Sequence, residues 1–357
     1  MVTFVPSRPG PLADVPSFDR AIGGAESNVA CTLARAGHAT RWVSRVGADG
    51  FGDHLVDTIA AAGVDVGAVQ RDPHRPTGVY FRTAQERATT LDRRAGRAEV
   101  VYYRKGSAAS ALSPALVRRR DVWAGRVLHL TGITGALSAT CQALMTRLTH
   151  REPGRPLVSF DVNHRPALWR DADPWRLADL ARGCDLVFVG EDEAQAAWGL
   201  PDADAVRAAL PEPAVLVVKQ GAAGATVFVA QQSRLPAELA GLGSADGPEG
   251  AARPHTAAGG GVRLHVPAPA VDVVAHVGAG DAFAAGFLSA TLRGLPLRDR
   301  MRHGHLLAAA ALTVPDDLAV PPPRARCDAL AALDDEAWAG LRLGPGWTRA
   351  AAAGVPG

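Results

Sequence analysis

The chain has 357 residues, 47% of them hydrophobic and 21% charged, which is enough to form one large folded unit or two smaller ones. A disordered or fibrous protein is therefore not expected. The 38 basic and 36 acidic side chains leave a formal charge of only +2 without a dense Lys/Arg cluster, so nucleic acid is not an expected partner. No apolar run reaches the roughly 18 residues that cross a bilayer, and we expect a cytoplasmic protein with no membrane partner.

The cysteines are scattered along the chain and form no CxxC pair, so the sequence indicates neither a disulfide framework nor a zinc site. We expect reduced thiols, most of them buried, at Cys31, Cys141, Cys184 and Cys327.

Helical and strand patterns alternate along most of the chain. Near the start, helices are predicted over Ser27–Ala36 and Gly52–Ala62, with a strand over Thr40–Val46 between them. Further on, β-branched runs predict strands, and amphipathic stretches between them predict helices. This alternation indicates an α/β protein with a parallel sheet covered by helices. The later strands are Leu157–Asp161, Leu186–Val189, Val215–Lys219 and Ala225–Val229, and the helices are Pro174–Arg182 and Glu191–Trp198.

Two stretches depart from this alternation. Between about residues 69 and 105, strands are predicted over Gly78–Thr83 and Val100–Arg104 with no helical pattern between them, which indicates a small β unit. Residues 231–261 are rich in Gly, Ala, Pro and Ser and predict a disordered insertion. We therefore expect an α/β core over 25–68 and 106–343, a small β region over 1–24 and 69–105, and a tail over 344–357.

The strongest local motif is a glycine-rich turn, Gly278-Ala279-Gly280-Asp281, between an apolar run and an amphipathic helix predicted to start at Asp281. Free amides at a helix start and small residues let an anion approach closely. A carboxylate among groups that hold phosphate suits a general base, which removes the proton of an attacking hydroxyl. The alternative is that Asp281 only caps the helix.

This segment, GAGDAFAAGF, resembles the second signature of the ribokinase-like (PfkB) carbohydrate kinases. Gly23-Gly24-Ala25-Glu26-Ser27-Asn28 resembles the GG-x-x-x-N motif of that family, and residues 46–52 resemble its first signature. The matches occur in family order across about residues 20–320. The resemblance implies a three-layer α/β fold with a mainly parallel central sheet between helices and a small β-sheet lid. It also implies phosphoryl transfer from ATP with Mg²⁺, Asp281 as base and the Gly278, Ala279 and Gly280 amides around the transferred group.

The same resemblance implies a nucleotide site. Glu193 stands where the family has the glutamate of N-x-x-E and would organise water and Mg²⁺, whereas Gly190 replaces the asparagine. An acidic residue at a helix start can also simply complement the helix dipole. Lys219 ends a predicted strand and could instead be a solvated strand end. The implied ATP-binding residues are Lys219, Gly221, Gly224, Gly278 and Gly280.

Two arginines point to an acidic substrate. Tyr102 and Arg104 share one face of a predicted strand and together offer an apolar wall and a fork for a carboxylate. Arg165 follows the strand Leu157–Asp161, so the two guanidinium groups are expected to converge on one pocket. Taken singly, either arginine could be an ordinary surface residue.

The segments YYRKGSAAS and DVNHRPALW are similar to those of the 2-keto-3-deoxygluconate kinases of this family. That similarity implies phosphorylation of 2-keto-3-deoxygluconate to 2-keto-3-deoxy-6-phosphogluconate and a homodimer formed through the lid. A fructokinase, a ribokinase, a 5-dehydro-2-deoxygluconokinase or an inactive sugar-binding relative remain alternatives. The implied sugar-site residues are Gly24, Asn28, Tyr80, Tyr102, Arg104 and Arg165.

Two departures from the family pattern carry expectations. Ala275 and His276 replace an Asp-Thr pair associated with a monovalent cation, so activation by potassium is not expected. Family members usually begin with a central strand that carries a Gly-Glu pair, whereas residues 1–10 resemble the segment after that strand. The hypothesis is that about ten further residues precede Met1, without which the sheet has unpaired ladder groups and an apolar gap.

Overall fold

The computed structural model describes residues 1–8, 10–82, 100–170, 172–231, 239, 255–256 and 261–349. Its strands are β1 (Val2–Pro6), β2 (Phe18–Ile22), β3 (Arg45–Gly47), β4 (Gln70–Asp72), β5 (Val79–Arg82), β6 (Val100–Tyr103), β7 (Val127–Thr131), β8 (Leu157–Asp161), β9 (Leu186–Gly190), β10 (Val215–Lys219), β11 (Ala225–Val229), β12 (His255–Thr256), β13 (Val262–Val266), β14 (Ala270–Val271) and β15 (Arg342–Leu343). Its helices are α1 (Ala25–Arg35), α2 (Gly50–Ala61), α3 (Arg119–Val122), α4 (Gly132–Gly135), α5 (Ala139–Thr149), α6 (Trp175–Arg182), α7 (Glu191–Trp198), α8 (Ala203–Ala209), α9 (Ala279–Leu292), α10 (Leu297–Leu312), α11 (Arg324–Ala331) and α12 (Asp335–Ala339).

A seven-stranded sheet, in the order β12-β13-β11-β10-β9-β8-β7, lies between two helical layers. The strands β7 to β10 run parallel, and β11, β12 and β13 are antiparallel to their neighbours. Alternate residues of β9 enter opposite cores: Phe188 packs with residues of α9 and α10, and Val187 packs with residues of α6 and α8. Burial on both faces explains why these strands are continuous apolar runs in the sequence. The expected three-layer ribokinase-like α/β fold is confirmed.

A separate four-stranded sheet, in the order β2-β1-β5-β6, forms the small β unit, and we call it the lid sheet. Its strand β1 pairs antiparallel with β2 and parallel with β5, and β5 pairs antiparallel with β6. The short strand β4 pairs with β3 instead, so on this side the lid sheet begins at Val79 rather than near residue 69.

Most predicted elements agree with the structure to within about two residues, but the strand over Thr40–Val46 was wrong. Only its last two residues belong to β3. Before them, the stretch forms no continuous ladder but only a bridge from Arg41 to Asp65 and a few backbone hydrogen bonds, between Asp65 and both Thr40 and Trp42 and between Gln70 and Ser44. A β-branched pattern makes a strand only where a neighbouring backbone continues the ladder. The helix at the glycine turn begins at Ala279, two residues before the predicted start.

Much of the predicted insertion at 231–261 and most of the tail lie outside the described residues. Within that stretch, His255–Thr256 pairs antiparallel with β13, and Leu239 is buried in the core.

The outer edge of β7 borders a large cavity. Among the described strands, β7 is an edge strand of the seven-stranded sheet. A cavity of 1570 Å³ extends from β7 towards β3. Its walls there are apolar, with Val43, Leu112, Leu128 and Leu144 among them. The residues nearest the start of the chain form β1 of the lid sheet and not part of this edge. The hypothesis of a further strand stays a prediction.

None of the helices that the structure describes is long and apolar enough to cross a membrane. The cytoplasmic location expected from composition stays a prediction. The four cysteines are free and buried, as expected.

Candidate active site

Asp281 lies at the centre of the candidate site, in the first turn of α9. Its carboxylate accepts hydrogen bonds from the side-chain amides of Asn28 on α1, at 2.9 Å, and Asn163 after β8, at 3.4 Å. The backbone of Asn163 has a φ of 44°, a left-handed conformation that is uncommon outside glycine. The side-chain Oδ1 atoms of Asn28 and Asn163 are buried without a hydrogen-bond partner in the described structure. Two other chain segments therefore hold this carboxylate with neutral donors and leave two acceptors free.

The environment of Asp281 changes its acidity. Burial raises the pKa of Asp281 to about 7, and the charge of Asp161 adds to this shift. The hydrogen bond from Asn28 and the positive charges of Arg165 and Lys219 oppose it. A carboxylate with a pKa near neutrality can take up a proton at physiological pH and still be largely ionised beforehand.

The glycine turn gives Asp281 its position. Gly278 precedes α9 with a φ of 77°, and a side chain there would clash with the backbone carbonyl of Asp317. The first hydrogen bond of the helix runs from the Ala282 amide to the Gly278 carbonyl. The amides of Ala279, Gly280 and Asp281 come before it and remain available for an anion.

A buried ion pair lies beside the turn. Lys219, at the end of β10, contacts both carboxylate oxygens of Asp161 at the end of β8, at 2.8 and 3.1 Å. Burial alone would lower the pKa of the Lys219 ammonium, but the carboxylates of Asp161 and Glu193 raise it. A Cβ atom at Gly280 would be 3.4 Å from the Lys219 nitrogen. Lys219 is therefore next to the turn and is held by Asp161 rather than solvated at a strand end.

The predicted sugar residues meet in the cavity beside Asp281. The guanidinium of Arg104 lies 4.1 Å from the ring centre of Tyr102, which confirms that the two side chains share a face. Tyr102 stacks on Tyr80 with ring centres 5.4 Å apart. Burial lowers the pKa of Arg104, and the charge of Arg165 adds to this effect. The predicted residues that line the cavity are Gly24, Asn28, Tyr80, Tyr102, Arg104, Arg165, Gly278 and Asp281.

Glu193 does not line that cavity and already has protein partners. One of its carboxylate oxygens accepts the Gly190 amide at 3.0 Å, and the other contacts Arg165 at 3.3 Å. Within the described residues, no group of three His, Cys, Asp or Glu side chains could hold a metal ion by itself. A site of this kind fits a Mg²⁺ ion that is held mainly by phosphate oxygens and water. The indirect role of Glu193 stays a prediction.

Three residues of this region were not singled out from the sequence: Asp161, Asn163 and Asp317. The position of Asp161 and Asn163, at and after the carboxyl end of a predicted parallel strand, could have indicated them. Asp317 follows α10 in a loop without a motif, and only the folded structure brings it to Tyr80, whose hydroxyl donates to its carboxylate. Gly221 and Gly224 form the turn between β10 and β11 and do not line the cavity.

Comparisons with known proteins give the family of this chain. Residues 1–240 and 245–322 match the pfkB family carbohydrate kinases. The chain is 32% identical to a 2-dehydro-3-deoxygluconokinase of Bacillus subtilis (strain 168) over 91% of this chain and 90% of the relative. It is 37% identical to a 2-dehydro-3-deoxygluconokinase of Thermoproteus tenax over 62% and 66%, and 29% identical to a probable chloroplastic fructokinase-6 of Arabidopsis thaliana over 90% and 77%.

Solved structures share the fold of this chain. The crystal structure of a PfkB protein from Polaromonas sp. JS666 matches with a TM-score of 0.71 and 31% identity, over 92% of this chain and 96% of that one. A putative ribokinase II from E. coli in complex with ATP and Mg²⁺ matches with a TM-score of 0.70 and 21% identity, over 92% and 95%. Because the family match covers most of the residues, this chain belongs to the pfkB family of carbohydrate kinases.

Proposed function

We propose that this chain transfers the γ-phosphoryl group of ATP to a hydroxyl of 2-keto-3-deoxygluconate, forming ADP and 2-keto-3-deoxy-6-phosphogluconate. The observation that carries the proposal is that Asp281, Arg104 and Arg165 line the same cavity. A proton acceptor and two guanidinium groups suit a substrate that carries both a hydroxyl and a carboxylate. The names of the Bacillus subtilis and Thermoproteus tenax relatives add support.

Asp281 acts as the general base in this proposal. The substrate hydroxyl gives its proton to the Asp281 carboxylate while its oxygen forms a bond to the γ-phosphorus of ATP. The bond from that phosphorus to the bridging oxygen breaks, and ADP leaves. The free amides at the start of α9 stabilise the charge on the transferred group. When bound with ATP, Mg²⁺ neutralises charge on the phosphate oxygens.

The other predicted residues divide between the two substrates. Arg104 and Arg165 bind the carboxylate or the incoming phosphoryl group, and Tyr80 and Tyr102 form the wall of the sugar site. The unpartnered amide oxygens of Asn28 and Asn163 accept hydrogen bonds from sugar hydroxyls. On the nucleotide side, Lys219, Gly221 and Gly224 contact ATP, and Glu193 acts on Mg²⁺ through water.

We also propose that a second copy of the chain covers the outer face of the lid sheet. The rings of Phe4, Phe18 and Tyr103 all contact the ring of Phe81, with centres 4.7 to 5.9 Å apart. Phe4, Phe18 and Phe81 are half-buried, whereas Tyr103 is 63% exposed, so the open part of this face lies at Tyr103. Sedimentation velocity should give a dimer, and Tyr103→Glu should shift it towards monomer. A monomer for the unaltered chain would contradict this assembly.

The test of the proposed reaction is ADP release from Mg-ATP with a panel of 2-keto-3-deoxygluconate, 2-keto-3-deoxygalactonate, gluconate, fructose and ribose. We expect turnover of the keto-deoxy acids only. Asp281→Asn should lower kcat by about 10²- to 10⁴-fold, because it removes the proton acceptor. Asp57→Asn, at an exposed position on α2, is the matched control and should not change kcat. Full activity of Asp281→Asn would rule out the assigned base.

Arginine variants separate the proposed substrate from the alternatives. Arg104→Gln and Arg165→Gln should each raise KM for the keto-deoxy acid by about 10- to 100-fold, since a hydrogen bond to a charged group contributes about 1.5–3 kcal/mol. Arg170→Gln, at an exposed position shortly after Arg165, should leave KM unchanged. If fructose or ribose is phosphorylated and neither variant changes its KM, a neutral-sugar kinase would be favoured. Turnover of no sugar would favour an inactive sugar-binding relative.

A further inference from the structure

Asp317, in the loop after α10, connects the lid sheet to the glycine turn. Its carboxylate pairs with the Arg82 guanidinium on β5 at 3.1 Å and accepts a hydrogen bond from the Tyr80 hydroxyl on the same strand. The Arg82 and Asp317 side chains are only 2% and 3% exposed. Arg82 also donates to the Pro315 carbonyl at 2.6 Å, two residues before Asp317. The loop is therefore fixed to β5 by three polar contacts.

The other side of the same loop contacts the glycine turns. The backbone carbonyl of Asp317 lies so close to Gly278 that a side chain at Gly278 would clash with it. A side chain at Gly23, next to the candidate sugar residue Gly24, would clash with the Tyr80 hydroxyl and come within 2.5 Å of the Asp317 carboxylate. Asp317 thus contacts β5, the turn before α1 and the turn before α9, which the proposed function assigns to substrate binding and phosphoryl transfer.

The contacts of Asp317 depend on one another. Burial raises the pKa of Asp317, whereas Arg82 and the Tyr80 hydroxyl act in the opposite direction. A buried carboxylate is held in place only if such partners keep the right geometry, because an unpaired buried charge is strongly destabilising. A shift of β5 would therefore move or unpair Asp317, and the Asp317 carbonyl would then move relative to Gly278.

We propose that Asp317 is a positioning residue that couples the lid strand β5 to the glycine turn, so that seating a sugar acid against Tyr80 also orders the amides that receive the phosphoryl group. The inference rests on the proposed function. Its consequence is thermodynamic: sugar and Mg-ATP tighten the binding of each other by the same factor. Without Asp317 both ligands bind with little influence on one another.

Asp317→Asn tests this coupling, and Asp316→Asn is its control because the neighbouring residue is exposed. For the unaltered chain, we expect saturating 2-keto-3-deoxygluconate to lower the Kd of Mg-ATP at least about fivefold, within the usual range of allosteric coupling. That factor should fall to about one in Asp317→Asn and stay unchanged in Asp316→Asn. A purely structural loss would lower activity and stability but leave the factor intact, which would overturn the proposal.

Tyr80→Phe is the second variant, in case Asp317→Asn does not fold. It removes only the hydroxyl that donates to Asp317, and it should lower the coupling factor in part. A double variant should then show no further loss beyond Asp317→Asn, because both changes remove the same contact. An unchanged factor in Tyr80→Phe would contradict the role of this contact.

Hydrogen exchange without ligands keeps the inference separate from the proposed function. In the ligand-free chain, the amides of residues 275–282 should exchange at least about fivefold faster in Asp317→Asn than in Asp316→Asn. If no sugar of the panel is phosphorylated but this exchange difference appears, the substrate assignment fails and the positioning role stands. Equal exchange in the two variants would overturn the positioning role.

Discussion

Asp281 and Asp161 are two carboxylates of one site with opposite surroundings. Asp281 lines the cavity and receives hydrogen bonds from neutral amides. Asp161 is 1% exposed, and its partner is the ammonium of Lys219. The amide partners leave Asp281 free to exchange a proton. Burial raises the pKa of Asp161 too, but there the charge of Lys219 opposes the rise and stabilises the carboxylate. The comparison indicates that the partner, and not burial alone, decides whether a buried carboxylate can act as a base.

Removing Asp161 should cost the most stability. Asp161→Ala leaves the largely buried Lys219 ammonium without its partner, and we expect a loss of about 3–5 kcal/mol in the free energy of unfolding. Urea denaturation measures this loss, provided that the m-value is the same in both proteins. Asp281→Asn should instead keep or raise this free energy at neutral pH, since it removes a buried carboxylate whose pKa the folded state raises to about 7. Similar losses in the two variants would remove the distinction between the carboxylates.

The double variant Asp161→Leu with Lys219→Met sharpens this result. Replacing both members of a buried ion pair with apolar residues is often neutral. The double variant should therefore regain most of the stability that Asp161→Ala loses, while phosphoryl transfer stays impaired because Lys219 is absent.

The pH dependence of kcat/KM should follow Asp281. Because its pKa is raised to about 7, the carboxylate is protonated below that pH and cannot accept the hydroxyl proton. We expect kcat/KM to fall about tenfold per pH unit below pH 6 and to level off above pH 8. A profile that stays flat between pH 5.5 and 8 would contradict the assignment of Asp281 as base.

Glu193 is a third carboxylate of this site, and we expect its substitution to have the smallest effect on activity and stability. Glu193→Gln keeps an acceptor for the Gly190 amide but loses the charge beside Arg165. We expect a several-fold increase in the Mg²⁺ concentration needed for half-maximal activity, with a stability change below about 1 kcal/mol. Glu191→Gln on the same helical turn is the control and should leave the Mg²⁺ requirement unchanged.

Sequence patterns predicted several strands of the seven-stranded sheet well because these strands are buried on both faces. The bounds of Leu157–Asp161, Val215–Lys219 and Ala225–Val229 agree with the structure at both ends. Non-local contacts were harder to predict. Nothing in the sequence near Lys219 indicates that Asp161 holds it, and nothing near Asp317 indicates its contact with a lid strand more than 230 residues away. Such contacts arise from topology, which brings the ends of separate strands to one edge.

The apolar part of the cavity beside β7 has a consequence for how the protein responds to hydrostatic pressure. Empty space inside a fold disappears on unfolding, so pressure favours the unfolded chain in proportion to that space. The part of the cavity walled by Val43, Leu112, Leu128 and Leu144 is apolar, and apolar space that water fills poorly contributes to such a volume difference. We expect the apolar part of the cavity to make the chain unfold at moderate pressures. Molecules that bind in this part should raise the pressure at which the chain unfolds.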